Sequence, residues 1–136
     1  KFGTVGAVAR DNKGNLAAAT STGGMTNKKF GRIGDSPVIG VGNYANNSTC
    51  AISCTGSGEF FLRAVVAYDV SSMMEFGDMS LDEACNKVIH DRLLKIGGDG
   101  GLIAIDHDGN IELPFNTEGM YRAAMDNNGL YKIEIY

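Results

Sequence analysis

The chain has 136 residues, 43% of them hydrophobic and 21% charged, which is the size and composition of one small globular domain. Its 12 Lys and Arg against 16 Asp and Glu give a net charge of −4, and the cations are scattered, which excludes the basic stripe of a nucleic-acid binder. No apolar run approaches the roughly 20 residues of a membrane span and no signal-peptide pattern opens the chain, so neither a membrane nor a nucleic acid is an expected partner.

In chain order, Thr4 to Ala9 is small, β-branched and apolar, and the turn chemistry of Asp11 to Asn15 returns it along Leu16 to Thr20 as a hairpin. Ser21 to Pro37, rich in Gly, Ser, Thr and Asn, reads as a loop. Strands are expected at about Val38 to Val41 and Thr49 to Thr55. After Gly58 the period changes, and Phe61 to Met74 is too long an apolar run for a strand, so it predicts one buried helix. Ser80-Leu81-Asp82-Glu83 is a capping box that opens a second helix with the stripe Leu81, Ala84, Cys85, Val88, Ile89. That helix should end near Gly97-Gly98. Leu102 to Ile105 and Ile111 to Leu113 flank the turn Asp106 to Asn110 as another hairpin, and Leu130 to Ile135 gives a last strand. No linker divides residues 1–136, and the order of strands, helices, strands predicts an α+β class with antiparallel sheet. Val5, Val8, Val41, Ile52, Leu102, Ile103 and Ile105 offer more apolar sheet surface than two helices on one face can cover, so a further layer from elsewhere is expected.

Several chemistries are absent from the sequence. There is no GxSxG, HExxH, Walker loop or GxGxxG; Gly56-Ser57-Gly58 is followed by Phe61 where a third glycine would stand. His90 falls on a helix and His107 in a turn, positions better suited to structure than to catalysis. Cys50, Cys54 and Cys85 have no CxxC or Cys/His metal spacing and read as buried free thiols of a reducing, cytoplasmic compartment. Catalysis would then need a base other than histidine. Thr4, preceded by Gly3, offers one if it becomes N-terminal, because its own α-amine, with a pKa of about 7.7 to 8, could take the hydroxyl proton. Taken alone, Thr4 reads as a β-branched residue opening a strand rather than as a nucleophile, and Arg32 and Asp35 as solvated charges near a turn.

Five stretches change that balance. Gly3-Thr4-Val5-Gly6-Ala7-Val8-Ala9, Ala17 through Lys28 (AAATSTGGMTNK), Gly31-Arg32-Ile33-Gly34-Asp35-Ser36-Pro37, Ser53-Cys54-Thr55-Gly56-Ser57-Gly58-Glu59 and Leu113 through Met120 (LPFNTEGM) resemble, in order and spacing, the β-subunit of plant-type (type III) L-asparaginases and isoaspartyl peptidases, which are N-terminal nucleophile hydrolases. The resemblance runs from Gly3 to about Ala123. Glycosylasparaginases are similar around the nucleophile, but the Gly23-Gly24-Met25-Thr26-Asn27-Lys28 stretch and the Pro114 to Met120 segment favour the asparaginase branch. A threonine aspartase would lack the aspartate at position 35.

The resemblance implies a precursor that cuts itself at Gly3–Thr4 and frees Thr4 as the nucleophile; Lys1-Phe2-Gly3 would be residual from the preceding part. Thr22 would orient the Thr4 hydroxyl. Thr55 by its side chain and Gly56 by its backbone N–H would hold the oxyanion. Arg32 would clamp the substrate α-carboxylate, Asp35 its α-ammonium, and the Gly58 carbonyl would assist. The implied substrates are L-asparagine and β-aspartyl dipeptides, which share one head group. The alternatives are a glycosylasparaginase-type amidase or a non-catalytic amino-acid-binding relative. The implied fold is a four-layer αββα sandwich of which this chain is half. Its partner would be an α-subunit from the same precursor, in an (αβ)2 dimer of heterodimers. No cofactor is implied and no metal in this chain; a structural sodium ion would lie in the α-subunit.

Overall fold

The computed structural model describes residues 3–136. Strands β1 (Thr4–Arg10) and β2 (Leu16–Thr22) pair antiparallel, with Thr4 opposite Thr22 and Arg10 opposite Leu16. The loop between them is built by Asp11, whose Oδ1 accepts the backbone N–H of Lys13 at 2.8 Å and of Asn15 at 2.9 Å. Asp106 organises its own turn in the same way, through the N–H groups of Gly109 and Asn110. Asp126 does so a third time, through Asn128 and Leu130.

A four-stranded sheet runs in the order β3 (Asn43–Ala45), β4 (Cys50–Gly56), β5 (Gly100–Asp106), β6 (Ile111–Glu112), all antiparallel. The pleat divides its residues between two faces. Cys50, Ile52 and Cys54 of β4, with Leu102 and Ala104 of β5, point to the helices and are fully buried there with Phe61, Val70 and Cys85. Ser53 and its partner Ile103 point the other way, towards the β1–β2 hairpin. The two layers approach closely: a side chain at Gly6 would put its Cβ 2.1 Å from Ser53 Oγ, and that hydroxyl bonds Thr20 Oγ1 at 2.6 Å. A last hairpin, β7 (Arg122–Met125) and β8 (Tyr131–Glu134), flanks the same side of the sheet and is fastened by Arg122 Nη2 to Glu134 Oε2 at 2.5 Å, with the guanidinium over the Phe115 ring. The class is α+β: helices, a sheet, and two hairpins beyond it. The outermost faces of those hairpins are apolar and open, with Val5 68% and Met125 and Tyr131 each 75% exposed.

The helical region departs from the sequence expectation. The single helix predicted over 61–74 is two, α1 (Gly58–Ala64) and α2 (Val66–Gly77), divided at Val65, which adopts a left-handed conformation with φ 50°. A β-branched residue reaches that region only under tertiary compulsion. The compulsion comes from the preceding loop, whose carbonyls take the first free N–H groups of α2: Ala67 donates to Val41 O and Tyr68 to Gly40 O at 2.8 Å. The same arrangement removes the strand expected at Val38–Val41, which curls into turns closed by Val41 N–H to Val38 O and Gly42 N–H to Val38 O. Sheet pairing passes instead to Asn43–Ala45. Helix α3 (Leu81–Lys87) starts with the predicted capping box, Glu83 N–H to Ser80 Oγ and Ser80 N–H to Glu83 Oε2. It continues through a π-helical turn at Val88–Arg92 into α4 (Leu93–Lys95) and stops at Gly97. Strand β7 lies where no strand was expected.

Candidate active site

The first and last residues of the β1–β2 hairpin face each other, and both are threonines. Thr4 Oγ1 donates to Thr22 Oγ1 at 3.0 Å, and Thr22 Oγ1 also accepts the Gly24 backbone N–H at 2.9 Å. Thr22 is thereby held from the loop side and in turn fixes the rotamer of Thr4. Gly3, immediately before Thr4, is exposed, and among the described residues beyond its chain neighbours a side chain there would meet nothing within 4 Å. Lys1 and Phe2, expected as residual residues ahead of the scissile bond, lie outside the described residues.

A cavity of about 390 Å³ opens beside this pair, lined by Thr4, Thr22, Arg32, Asp35 and Gly56 together with Met25 and Lys28. The volume suits a small metabolite. Arg32 and Asp35 stand on the same wall and carry opposite charges, yet they do not pair with each other. Arg32 Nε donates to Glu59 Oε1 at 2.6 Å. Asp35 is 6% exposed, and its Oδ2 has no hydrogen-bond partner among the described residues. Burial raises the Asp35 carboxyl above the usual aspartate range, against backbone N–H groups and the nearby Arg32 charge, which pull it down. A buried carboxylate oxygen left bare costs free energy unless something arrives to meet it.

Strand β4 ends at the cavity with Thr55 and Gly56. Gly56 has φ 153°, and a Cβ there would lie 2.3 Å from the Asp99 carbonyl oxygen, so packing demands glycine. Thr55 lines a second cavity of about 500 Å³, and Thr4 is a residue shared by both. Gly58 opens α1 against Asp35, where a Cβ would stand 2.7 Å from Asp35 Oδ1. The structure thus places Thr4, Thr22, Arg32, Asp35 and Gly56 around one cavity, Gly58 against Asp35, and Thr55 in the second cavity, which also meets Thr4. His90 is exposed on the π-helical turn; His107, at the Asp106 turn, accepts Arg10 Nε at its carbonyl, and neither lines either cavity.

Sequence reasoning assigned no role to Glu59, Met25 or Lys28. Met25 Sδ lies 3.0 Å from Arg32 Nη2, and Lys28 closes the cavity near Gly24. The Glu59 carboxylate is held below the usual range by its bond to Arg32. Its pairing spans 27 residues, which no local pattern signals, although Glu59 directly follows Gly58 in the stretch that carries Thr55 and Gly56. Among the described residues no cluster of three or more His, Cys, Asp or Glu could hold a metal ion, and no helix is long and apolar enough to cross a membrane.

The asparaginase family model matches residues 1–135. The chain is 66% identical over 123 residues to the isoaspartyl peptidase of Escherichia coli strain K12, covering 90% of this chain and 38% of that protein. It is 54% identical to a putative isoaspartyl peptidase/L-asparaginase of Dictyostelium discoideum, over all of this chain and 41% of the relative. It is 43% identical to the isoaspartyl peptidase/L-asparaginase of Xenopus laevis, over 99% of this chain and 43% of the relative. The chain therefore spans about two-fifths of the length of these curated relatives.

Proposed function

Because this chain belongs to the asparaginase family, and its Thr4–Thr22 pair stands beside a cavity walled by Arg32 and Asp35, which do not pair with each other, we propose that it is the catalytic half of an amidohydrolase that cleaves β-aspartyl peptides and the side-chain amide of L-asparagine. The observation that carries this reading is the separation of the two opposite charges, which leaves room for a zwitterionic amino-acid head group between them.

The chemistry follows from the residues. While Gly3 is attached, the nitrogen of Thr4 is an amide and has no basicity. Cleavage of Gly3–Thr4 turns it into an α-amine, which accepts the proton of Thr4 Oγ1 as that oxygen attacks the side-chain carbonyl carbon of the substrate. The carbonyl oxygen becomes an oxyanion, met by the Thr55 hydroxyl and the Gly56 N–H; one such donor is worth about 3 to 4 kcal/mol of barrier. As the tetrahedral carbon collapses, the C–N bond breaks and the leaving nitrogen takes the proton held by the amine. Water, deprotonated by the same amine, then attacks the acyl ester, releasing aspartate and restoring the hydroxyl. Arg32 meets the substrate α-carboxylate as a planar fork and Asp35 Oδ2 meets the α-ammonium, with the Gly58 carbonyl beside it. Both substrate classes present this head group and differ only beyond the scissile nitrogen.

The rest of the precursor supplies the partner. The open apolar faces of β1–β2 and β7–β8, with Val5, Met125, Tyr131 and Ile133 exposed, suit a covering helical layer. The relatives' additional length is enough to provide that layer. The assembled protein is then a four-layer αββα sandwich and pairs again as (αβ)2. The structural sodium ion expected of the family belongs to that other portion, and no step above runs through it. Three buried free thiols fit a reducing compartment such as the cytoplasm.

The test is maturation and turnover of the full-length precursor. Intact mass should reveal a new chain beginning at Thr4, and Thr4→Ala should abolish that cleavage. The matured protein should release ammonia from L-asparagine and aspartate from β-aspartyl dipeptides, with little action on α-aspartyl peptides. Cleavage elsewhere, or in the Thr4→Ala variant, would overturn the nucleophile. Preference for glycosylated asparagine would move the protein to the neighbouring branch.

A further inference from the structure

The first turn of α1 lies between the two charges of the clamp and touches both. Gly58 lets the helix begin in contact with Asp35. Glu59, the next residue, reaches Arg32. Its Oε1 accepts the Nε proton at 2.6 Å, and the Glu59 side chain is 51% exposed whereas that of Arg32 is 18% exposed. The guanidinium is thus tethered by one edge to a carboxylate at the cavity rim.

Which edge is tethered decides what remains. A guanidinium has five N–H donors in a rigid plane. Glu59 takes the one on Nε, and Met25 Sδ occupies one on Nη2 at 3.0 Å. The donors left are those of Nη1 and the second of Nη2. Glycine at residue 34 leaves more room beside them, since a Cβ there would lie 3.2 Å from Nη1. Glu59 also keeps Arg32 from the opposite error, which is collapse onto Asp35. Two opposite charges on one partly desolvated wall attract strongly, and a direct bond between them would close the space in which the head group sits. A second carboxylate competing for the guanidinium holds the clamp open.

We infer that Glu59 is a positioning residue for carboxylate recognition, holding Arg32 by its Nε edge so that its terminal Nη edge faces the cavity and Asp35 stays unpaired. The role rests on the amidohydrolase reading above. Glu59 itself touches neither substrate nor reacting atoms. It acts through Arg32, so it should govern binding and leave the chemical step nearly unchanged. It also bears on one half of the head group, the α-carboxylate.

The experiment uses the matured enzyme obtained from the full precursor, carrying Glu59→Gln or Glu59→Asp. Glu59→Gln should raise KM for a β-aspartyl dipeptide roughly three- to tenfold, the range for a charged hydrogen bond discounted for exposure, with kcat within about twofold. Glu59→Asp, which keeps the charge on a shorter arm, should recover part of the loss. Two competitive inhibitors separate positioning from structural damage. The inhibition constant of L-aspartate should rise with KM, whereas that of isoasparagine, whose α-carboxylate is an amide, should not. In an Arg32→Lys background, Glu59→Gln should add little, because the planar fork it would orient is gone. Self-cleavage at Gly3–Thr4 should proceed in every variant, since it involves no free carboxylate. Unchanged KM in Glu59→Gln overturns the inference, as does an equal weakening of both inhibitors. Failure of the wild-type enzyme to act on either substrate overturns the reading on which the inference rests, and is told apart by that control.

Discussion

Asp35 Oδ2 is buried and, among the described residues, without a hydrogen-bond partner, on the same cavity wall as the Arg32 guanidinium, whose Nε is bonded to Glu59. In a folded protein two such groups three residues apart would ordinarily find each other, since a bare buried carboxylate oxygen is costly. Here the loop turns Asp35 back on its own backbone N–H and that of Ser36, while Glu59 draws Arg32 to the rim. The result is a site with its two charges kept apart before any ligand binds, which reduces the reorganisation that recognition of a zwitterion would require.

The raised pKa of Asp35 makes this arrangement sensitive to pH. An ammonium ion binds the ionised carboxylate, and burial disfavours that form in the free protein. KM for a substrate with a free α-ammonium should therefore climb, as pH falls, at a higher pH than an ordinary aspartate would give, and binding should release protons in that window. Folding responds with the opposite sign. A carboxyl whose folded value is raised is a cost once ionised, so its penalty is present above the folded pKa and fades as pH falls through it. Asp35→Asn should thus raise Tm near neutral pH while weakening substrate binding by about 2 to 5 kcal/mol, the cost of leaving a buried charge without its partner. Thermal melting and KM measured on the same matured variant check both signs; a lowered Tm with intact binding would refute the assignment.

Gly6 tests the contact between the β1–β2 hairpin and the sheet. A methyl group there meets Ser53 Oγ at 2.1 Å and Ser53 Cβ at 2.8 Å, and Ser53 is already tied to Thr20. Gly6→Ala should cost about 1 to 3 kcal/mol in chemical denaturation, the usual range for overpacking. Because β1 carries Thr4, turnover should fall as well. Adding Ser53→Gly, which removes both clashing atoms, should restore part of the stability. No loss in Gly6→Ala would show that the layers are farther apart than described.

The cysteines provide a chemical probe of the core. Cys50, Cys54 and Cys85 are free and buried, and burial pushes the Cys50 thiol up to about 12 and the other two well above their ordinary value. Since the thiolate is the reactive form, the native protein should resist alkylation near neutral pH, and three equivalents should react after unfolding. Mass spectrometry of the native protein after brief treatment reads the outcome; rapid native labelling would place a thiol at the surface.

Much of this was legible from the residues because the signals were local. The turns at Asp11 to Asn15 and Asp106 to Asn110 carry their own hydrogen bonds, and the Ser80–Glu83 capping box is a four-residue motif. What was missed depends on contacts distant in sequence. The apolar run from Phe61 to Met74 has no glycine or proline to mark its break, which is imposed on Val65 where the 40–41 carbonyls cap α2. Those same carbonyls take Val38–Val41 out of the sheet. In the site, the threonines and the Arg32–Asp35 spacing lay in recognisable stretches, but the Arg32–Glu59 pair joins positions 27 apart and became visible only in three dimensions.

The ladder that sets Thr4 against Thr22 begins at the Asp11 loop, about 20 Å away at the strand rise of roughly 3.3 Å per residue. In an antiparallel pair a slip of one residue turns every side chain to the other face. An inserted or deleted residue in Asp11–Asn15 that shifted the ladder would therefore carry one threonine hydroxyl away from the other, without touching either. Surface turns are ordinarily where chains vary in length most freely. This one acts as a length standard for the proposed nucleophile, and its five residues are as much a condition of the Thr4–Thr22 hydrogen bond as the two hydroxyl groups themselves.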